Sequence, residues 1–282
     1  MEFVHYTNGQ DFTNENLNLL LEKEWLNNLI VGNCQDSLNI DIDDDWILAS
    51  IKNENKTELI MLYRKPWKLL MYSPTNNKSD ELYQFVAKEI YKINSCLPGV
   101  NTESEIAKKF ANYYCEISHQ KPKLRIPMRI LLLEHLAEPH LRSDVICRKA
   151  TENDKVVLKQ FSKDFHKEAL HEEKSDEYLE ESFYKNLEKD YYVLEKDGKI
   201  VAQTVSTRKL LYGKTISGVY TPKEERKKGY AYNLVYLVSK KFLDDGAKYC
   251  VLFTDDSNPI SNHIYEKIGY ERKVDVSDLD FV

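Results

Sequence analysis

The stretch between residues 215 and 253 changes from strand to helix and back to strand, which restricts the fold more than any other part of the sequence. Residues 215–221 are predicted as a strand, and from Gly229 the apolar spacing becomes helical. The apolar face of this helix comprises Ala231, Leu234, Val235, Val238 and Phe242. Residues 249–253 then form an apolar run typical of a buried strand. A strand, a helix and a strand in this order predict an α/β fold with a mixed sheet.

The elements around this stretch extend the pattern. A capping-box motif at Thr151 and Asp154 begins one helix, and the turn Lys196-Asp197-Gly198 joins two β-rich runs into a hairpin. The other predicted elements are strands at 145–148, 191–195, 199–205 and 278–282 and helices at 175–189 and 258–268. The predicted order is β, α, α, β, β, β, α, β, α, β.

Two of these helices have predicted core faces. The first face comprises Val156, Val157, Phe161 and Phe165. The second comprises Ile260, Ile264 and Ile268, and it leaves Tyr265 beside the stripe and away from the centre of the core.

The first half of the chain has a similar order of elements. Its predicted helices are residues 14–33, 79–93 and 103–117, and its predicted strands are 46–51, 58–63, 67–72, 99–100 and 124–133. Residues 136–144 interrupt the periodicity with proline and polar residues, so we expect two domains, at 1–140 and 145–282. Identity between the halves is weak, and the expected duplication therefore depends on element order.

Composition excludes several other classes of protein. The chain has 282 residues, of which 42% are apolar and 30% charged, so collagen-like and disordered chains are disfavoured. The net charge of -6 gives no general attraction to nucleic acid or an anionic membrane, and no apolar run is long enough to span a bilayer. We therefore expect a cytoplasmic protein with no nucleic-acid or membrane partner, and the five singly spaced cysteines indicate reduced thiols.

No metal site is expected. The acidic residues Asp41, Asp43 and Asp45 begin like a calcium loop, but Trp46 stands where glycine is required. A solvated acidic turn is the better interpretation.

The stretch with the clearest chemistry is residues 218–231, which joins a predicted strand directly to a helix. Its pattern Arg226-x-x-Gly229-x-Ala231 places a cation before the turn and small residues at the start of the helix. Backbone N–H groups at a helix start bind anions, and small side chains allow a diphosphate to approach them. Taken alone, such a short pattern favours an ordinary strand-to-helix turn with a solvated basic run.

A second motif follows in residues 254–270, which contain Asn258-Pro259 and Tyr265. Together the two motifs resemble the acetyl-CoA-binding half of the GCN5-related N-acetyltransferase (GNAT) family, over residues 145–282. The resemblance implies a GNAT fold, in tandem with a degenerate N-terminal copy, and acetyl-CoA as acyl donor. By resemblance, the cofactor-binding residues are Val219, Tyr220, Thr221, Arg226, Lys227, Lys228, Gly229, Tyr230, Ala231 and Asn258.

The resemblance also assigns Tyr265 as the general acid that protonates the departing thiolate. A phenol with a pKa near 10 is protonated at pH 7 and suits that role. The predicted strand 215–221 has no carboxylate, so the base is either an ordered water or an acid from elsewhere. The substrate-side candidates are Glu168, Glu172 and Glu173. For each of them a solvated surface position is favoured over catalysis, although this acid-rich region could attract a cationic amine.

The corresponding turn of the first half, residues 73–79, contains no glycine and no Arg-x-x-Gly-x-Ala pattern. We therefore expect one acetyl-CoA per chain. The expected function is acetyl transfer to a primary amine of a small molecule or peptide, and a homodimer is left open. The alternative is a non-catalytic acyl-CoA-binding module with a regulatory or interaction role.

Overall fold

The computed structural model describes residues 1–38 and 42–282, so Asp41 of the acidic run lies outside the described residues. The first elements are β1 (Glu2–Tyr6), α1 (Gly9–Leu21), α2 (Glu24–Ser37), β2 (Trp46–Asn53), β3 (Lys56–Arg64), β4 (Leu69–Tyr72), α3 (Asp80–Ile93), β5 (Gly99–Glu103), α4 (Ser104–Ser118) and β6 (Pro122–Leu133).

A second series follows in nearly the same order. It comprises β7 (Ile146–Lys149), α5 (Lys155–Ala169), α6 (Asp176–Leu187), β8 (Asp190–Lys196), β9 (Lys199–Ser206), β10 (Gly213–Thr215), β11 (Ser217–Tyr220), α7 (Tyr230–Asp244), β12 (Tyr249–Asp255), α8 (Pro259–Ile268) and β13 (Glu271–Phe281). The mixed α/β class and the repeated element order predicted from the sequence are confirmed. None of the helices described is both long and apolar enough to cross a membrane.

The chain forms two compact units. The first unit contains Met1–Ile130, Asp255–Ser257 and Lys273–Val282, and the second contains Leu131–Thr254 and Asn258–Arg272. The last strand of each series changes unit along its length: β6 ends in the second unit, and most of β13 belongs to the first. These limits differ from the expected division at 140–145, because pairing of β13, a long-range contact, assigns the C-terminal residues to the first unit.

In the first unit, β1, β2, β3 and β4 form antiparallel pairs in sequence, and β4 pairs with β5 in parallel. Strand β13 adds an antiparallel pair to β5, with Val276 opposite Glu103. Phe281 at the end of β13 stacks on Tyr114 of α4, with ring centroids 5.5 Å apart. Asp278 of the same strand is buried and contacts Lys68 and Arg125. The C-terminal strand is therefore part of this unit's core.

In the second unit, β7, β8, β9 and β11 form an antiparallel sheet, while β10 pairs with β12 in parallel. The single strand predicted at 215–221 is thus wrong, because the chain changes partners near Ile216. Helices α7 and α8 contribute to one core, which includes Leu234, Phe242 and Ile268. The change of strand partner positions the candidate site.

Two predicted helix faces are also partly wrong. Val156 is 82% exposed, and the buried residues of α5 are Leu158 and Phe161. Ile260 is 71% exposed, whereas Tyr265 is buried with Ile268. Both exposed residues lie in the first turn of their helix. The spacing of apolar residues does not indicate which part of a helix the sheet covers.

Candidate functional site

The candidate site begins between β10 and β11, where the chain leaves its pairing with β12 and joins the sheet of β9. The Ile216 N–H donates to the Val251 carbonyl over 2.9 Å, and the next residue, Ser217, pairs with Val205 of β9 instead. Gly218 has φ +58°, within an irregular register between Ser217 and Tyr220. We call this point the fork. Strand β11 is the last strand of its sheet, so one of its edges has no strand partner in the described residues.

An unpaired strand edge offers backbone N–H and C=O groups to an extended ligand that contains amides. Val219 and Tyr220 lie on this edge, and Thr221 follows directly. The Thr221 hydroxyl is buried and has no hydrogen-bond partner among the residues described. A buried polar group without a partner destabilises the protein, so this hydroxyl is suited to a ligand. Tyr220 is differently placed, because its hydroxyl donates to Glu168 Oε1 over 3.2 Å.

The start of α7 has the geometry of an anion site. Lys227 and Gly229 adopt left-handed φ values of +62° and +83°, and Gly229 is the N-cap residue without a capping side chain. The first helical bond runs from the Asn233 N–H to the Gly229 carbonyl, over 3.0 Å. The amides of Tyr230 and Ala231 therefore precede the first N–H donor of the helix and have no acceptor within it. Such amides and the helix dipole favour a phosphate group.

The basic side chains before α7 are largely engaged by carboxylates. Arg226 Nη2 lies 2.7 Å from Glu168 Oε2, and Lys228 Nζ lies 2.8 Å from Glu225 Oε2. Lys227 has no ion-pair partner within the described part of the chain. Burial opposes ionisation of Glu168, but its hydrogen bond to Arg226 and the nearby charge of Arg226 prevail and lower the pKa of this carboxyl. The excess of positive charge at this turn is thus smaller than the sequence indicates, because carboxylates neutralise Arg226 and Lys228.

Arg142 is a further residue at this turn that the sequence did not reveal. Its backbone N–H donates to Asn233 Oδ1 over 2.8 Å, and its guanidinium group lies 5.4 Å from the centre of the Tyr230 ring. The same guanidinium donates to the Lys228 carbonyl over 3.4 Å. Asn233 in turn donates to the Gly229 carbonyl over 2.8 Å. Arg142 lies in a segment interpreted as a domain linker, and no local motif marks it.

Tyr265 is 9% exposed and packs against Tyr270, with ring centroids 5.9 Å apart. Its hydroxyl makes no hydrogen bond to any residue that the structure describes. Burial raises the pKa of Tyr265 to about 12, so the phenol is protonated at neutral pH. The ring shares one hydrophobic core with Tyr230 and Val219. The side chain therefore has the protonation state of a general acid.

The substrate-side carboxylates do not form a cluster. Glu168 is held by Arg226 and Tyr220, Glu172 lies 2.8 Å from Lys174, and Glu173 is exposed. Asn258 caps α8, since its Oδ1 accepts from the Ser261 N–H over 3.1 Å. Among the residues described, no group of three or more His, Cys, Asp or Glu side chains is arranged to hold a metal ion.

The corresponding helix of the first unit begins differently. Strand β4 leads through residues 73–79 to α3, whose N-cap Ser79 accepts from the Leu82 N–H over 3.4 Å. Asp80 and Glu81 occupy the first turn of this helix. A capped helix start with two carboxylates repels an anion. The geometry for anion binding is therefore specific to α7.

Comparison with known proteins gives the site a context. Residues 156–270 match the family model described as acetyltransferase (GNAT) family. A GCN5-related N-acetyltransferase from Sphaerobacter thermophilus is 12% identical, with a TM-score of 0.65 over 99% of this chain and 95% of that one. A GNAT-family acetyltransferase from Colwellia psychrerythraea is 11% identical, with a TM-score of 0.61 over 100% of both chains.

A tandem GNAT protein from the clavulanic acid biosynthesis pathway is 10% identical, with a TM-score of 0.60 over 100% of this chain and 98% of that one. At such low identity these likenesses concern the fold. No curated protein matches the sequence. The whole chain thus has the fold of a tandem GNAT protein, and most of the part that matches the family model lies in its second unit.

Proposed function

Because residues 156–270 match the family model described as acetyltransferase (GNAT) family, we propose that this protein transfers an acetyl group from acetyl-CoA to a primary amine. The observation that carries the proposal is the Tyr265 phenol, which is buried, protonated and without a hydrogen-bond partner in the described residues. It lies in the same core as the start of α7, which has the geometry of an anion site.

The described residues fit acetyl-CoA in two independent ways. The unpaired edge of β11 suits the amide-containing arm of the cofactor, and the Thr221 hydroxyl beside it lacks a protein partner. The N-cap Gly229 has no capping side chain, so the amides that follow it suit the diphosphate. We propose Val219, Thr221, Lys227, Gly229 and Ala231 as direct contacts of the cofactor.

Three further predicted contacts have other partners or positions. Arg226 is paired with Glu168, Lys228 is paired with Glu225, and Asn258 caps α8. We propose that the first two shape the turn and that Asn258 sets the direction of α8, which carries Tyr265. Glu168 is then a positioning residue that connects α5 to the cofactor turn.

The bound donor supplies a thioester carbonyl carbon, to which the amine nitrogen bonds as the carbon–sulfur bond breaks. Tyr265 donates its hydroxyl proton to the departing sulfur, and solvent later restores that proton. The amine attacks as the free base, and the proton it loses passes to water, since Glu168 is engaged by Arg226. No enzyme nucleophile is needed, because the thioester is already activated.

The test is the variant Tyr265→Phe, which keeps the ring and removes only the acid. General acids contribute about 100-fold or more, so we expect kcat for a panel of amines to fall by at least about that factor. Binding of acetyl-CoA, measured by calorimetry, should change by less than about twofold. Tyr270→Phe is the matched control, because it removes a hydroxyl from the adjoining ring and should retain turnover.

Unchanged turnover in Tyr265→Phe would exclude the acid role. Binding of acetyl-CoA without transfer to any amine would favour the regulatory alternative. An absence of acetyl-CoA binding would favour an interaction role for the fold.

A further inference from the structure

Arg208 lies in the loop between β9 and β10, at the fork. Its backbone N–H donates to Thr215 Oγ1 over 3.4 Å, and its half-buried guanidinium group lies 5.5 Å from the centre of the Phe253 ring. Phe253 stands two residues beyond Val251, the last residue of β12 that pairs with β10. The positive charge of Arg208 therefore lies beside the end of the segment in which β10 pairs with β12.

This guanidinium group has no carboxylate partner in residues 1–38 or 42–282. Other arginines differ, since carboxylates contact Arg64, Arg125, Arg129, Arg142, Arg148 and Arg226. Burial lowers the pKa of Arg208 to about 10, so the group stays charged at neutral pH. A partly buried guanidinium group without a counter-ion is available to an anion that a ligand supplies.

The position of Arg208 distinguishes the diphosphate of the donor from an anion close to the thioester. The diphosphate site proposed above lies beyond the far end of β11, a strand of four residues that spans about 10 Å. The fork lies at the opposite end of that strand, where the extended donor would present its thioester. An anion bound at Arg208 would therefore belong to one of the reacting molecules, the acceptor or the acyl group of the donor. Guanidinium groups bind carboxylates through two parallel hydrogen bonds.

We propose that Arg208 binds a carboxylate on the reacting molecules, so that the amine acceptor is one that also carries a carboxylate. This inference rests on the proposed acyl transfer and names its substrate class. A carboxylate on the acyl group of the donor has the same chemistry, and the experiment separates the two sources.

The experiment measures CoA release by the full chain with amino acids of different chain length, each beside its carboxamide. Rates are corrected for the fraction of free amine, which differs within each pair. A second arm uses one neutral amine with succinyl-CoA and with acetyl-CoA. The variants are Arg208→Gln and Arg208→Lys, and Lys209→Gln is the matched control because it removes an exposed neighbouring charge.

We expect the unmodified protein to prefer the carboxylate of a pair by about 10- to 100-fold in kcat/KM. Arg208→Gln should abolish the preference while neutral amines are still acetylated, Arg208→Lys should retain part of it, and Lys209→Gln should retain all of it. A preference seen only between the two donors, and lost in Arg208→Gln, assigns the carboxylate to the acyl group.

Equal rates within every amine pair and with both donors would overturn the inference, as would an unchanged preference in Arg208→Gln. If no amine is acetylated, the proposed function fails, and calorimetry of amino acids with the CoA-bound protein decides about Arg208. Equal carboxylate affinity in the unmodified protein and in Arg208→Gln would then overturn it. Thermal unfolding of each variant shows whether it is folded.

Discussion

Tyr265 carries a hydroxyl group on a buried ring, in a position whose packing a phenylalanine would fill equally well. The ring packs on Tyr270 and shares its core, but its hydroxyl has no hydrogen-bond partner in the described residues. A hydroxyl group that bonds to no described residue and is not needed to fill the core is expected at a functional position, where it contacts a reacting group.

The raised pKa of Tyr265 gives a specific pH profile. The acid form is present below the folded-state pKa, about 12, and is lost only above it. With both substrates saturating, kcat should therefore show no decline on the alkaline side between about pH 6 and about pH 10. Stopped assays of CoA release across this range measure it. A decline near pH 8 that is absent from Tyr265→Phe would contradict this pKa.

The sequence alone indicated only some of these side chains. Tyr265 and Gly229 lie in motifs with fixed local spacing, so the pattern indicated both. Arg142 and Arg208 lie in irregular segments, and their relevance depends on contacts with Tyr230 and Phe253. Such contacts arise from tertiary packing and leave no periodic signal. The ion pair between Arg226 and Glu168 likewise joins residues 58 positions apart.

Among the elements, α7 combines a glycine N-cap with a left-handed turn before it. Gly229 has φ +83°, and a Cβ atom there would meet only Asn233 Nδ2, at 3.7 Å. Substitution by alanine is thus allowed by space but strained by the backbone angle. The Cβ atom would also stand beside the amides that we propose for the diphosphate.

Gly229→Ala should therefore lower the free energy of unfolding by about 1 kcal/mol and weaken acetyl-CoA binding about tenfold. Gly198→Ala is the matched control, because Gly198 has φ +73° and open space around its Cβ position. It should lose similar stability and bind acetyl-CoA normally. Denaturant titration and calorimetry measure the two effects. Equal affinity in both variants would argue against anion binding at α7.

The sequence predicted most elements but placed some incorrectly. Helices α3 and α7 have strong apolar periodicity and end near their predicted limits. The interruption at Ile216 was missed, because β10 and β11 read as one β-rich run and only their partners distinguish them. The stripe through Ile260 was misjudged because that residue lies in the first turn of α8, where it is exposed.

For the molecule as a whole, the division into units follows strand pairing more than chain order. The first unit includes Lys273–Val282, in which Phe281 is buried against Phe110 and Tyr114. From the sequence alone we expect these residues in the other half, because the local sequence of a strand does not show whether its partner is near or distant in the chain. The match to the family model, which ends at residue 270, also stops before them.

Phe281→Ala should destabilise the first unit by about 3 kcal/mol, since it removes a buried aromatic ring. Val282→Ala is the control, because this side chain is 68% exposed and its loss should change stability by less than about 0.5 kcal/mol. Hydrogen exchange of the amides of α4 reports on this unit directly. Equal protection of α4 in the two variants would show that β13 contributes little to it.

Because β6 and β13 each have residues in both units, the gene for such a chain cannot be divided freely. Dividing the chain after Ile130 would split β6 in two. Dividing it after Arg272 would separate most of β13 from β5, with which it pairs. Neither unit is therefore encoded by one uninterrupted segment. An exchange of either half with another gene would leave a core without one of its strands, so the two units are expected to be inherited together.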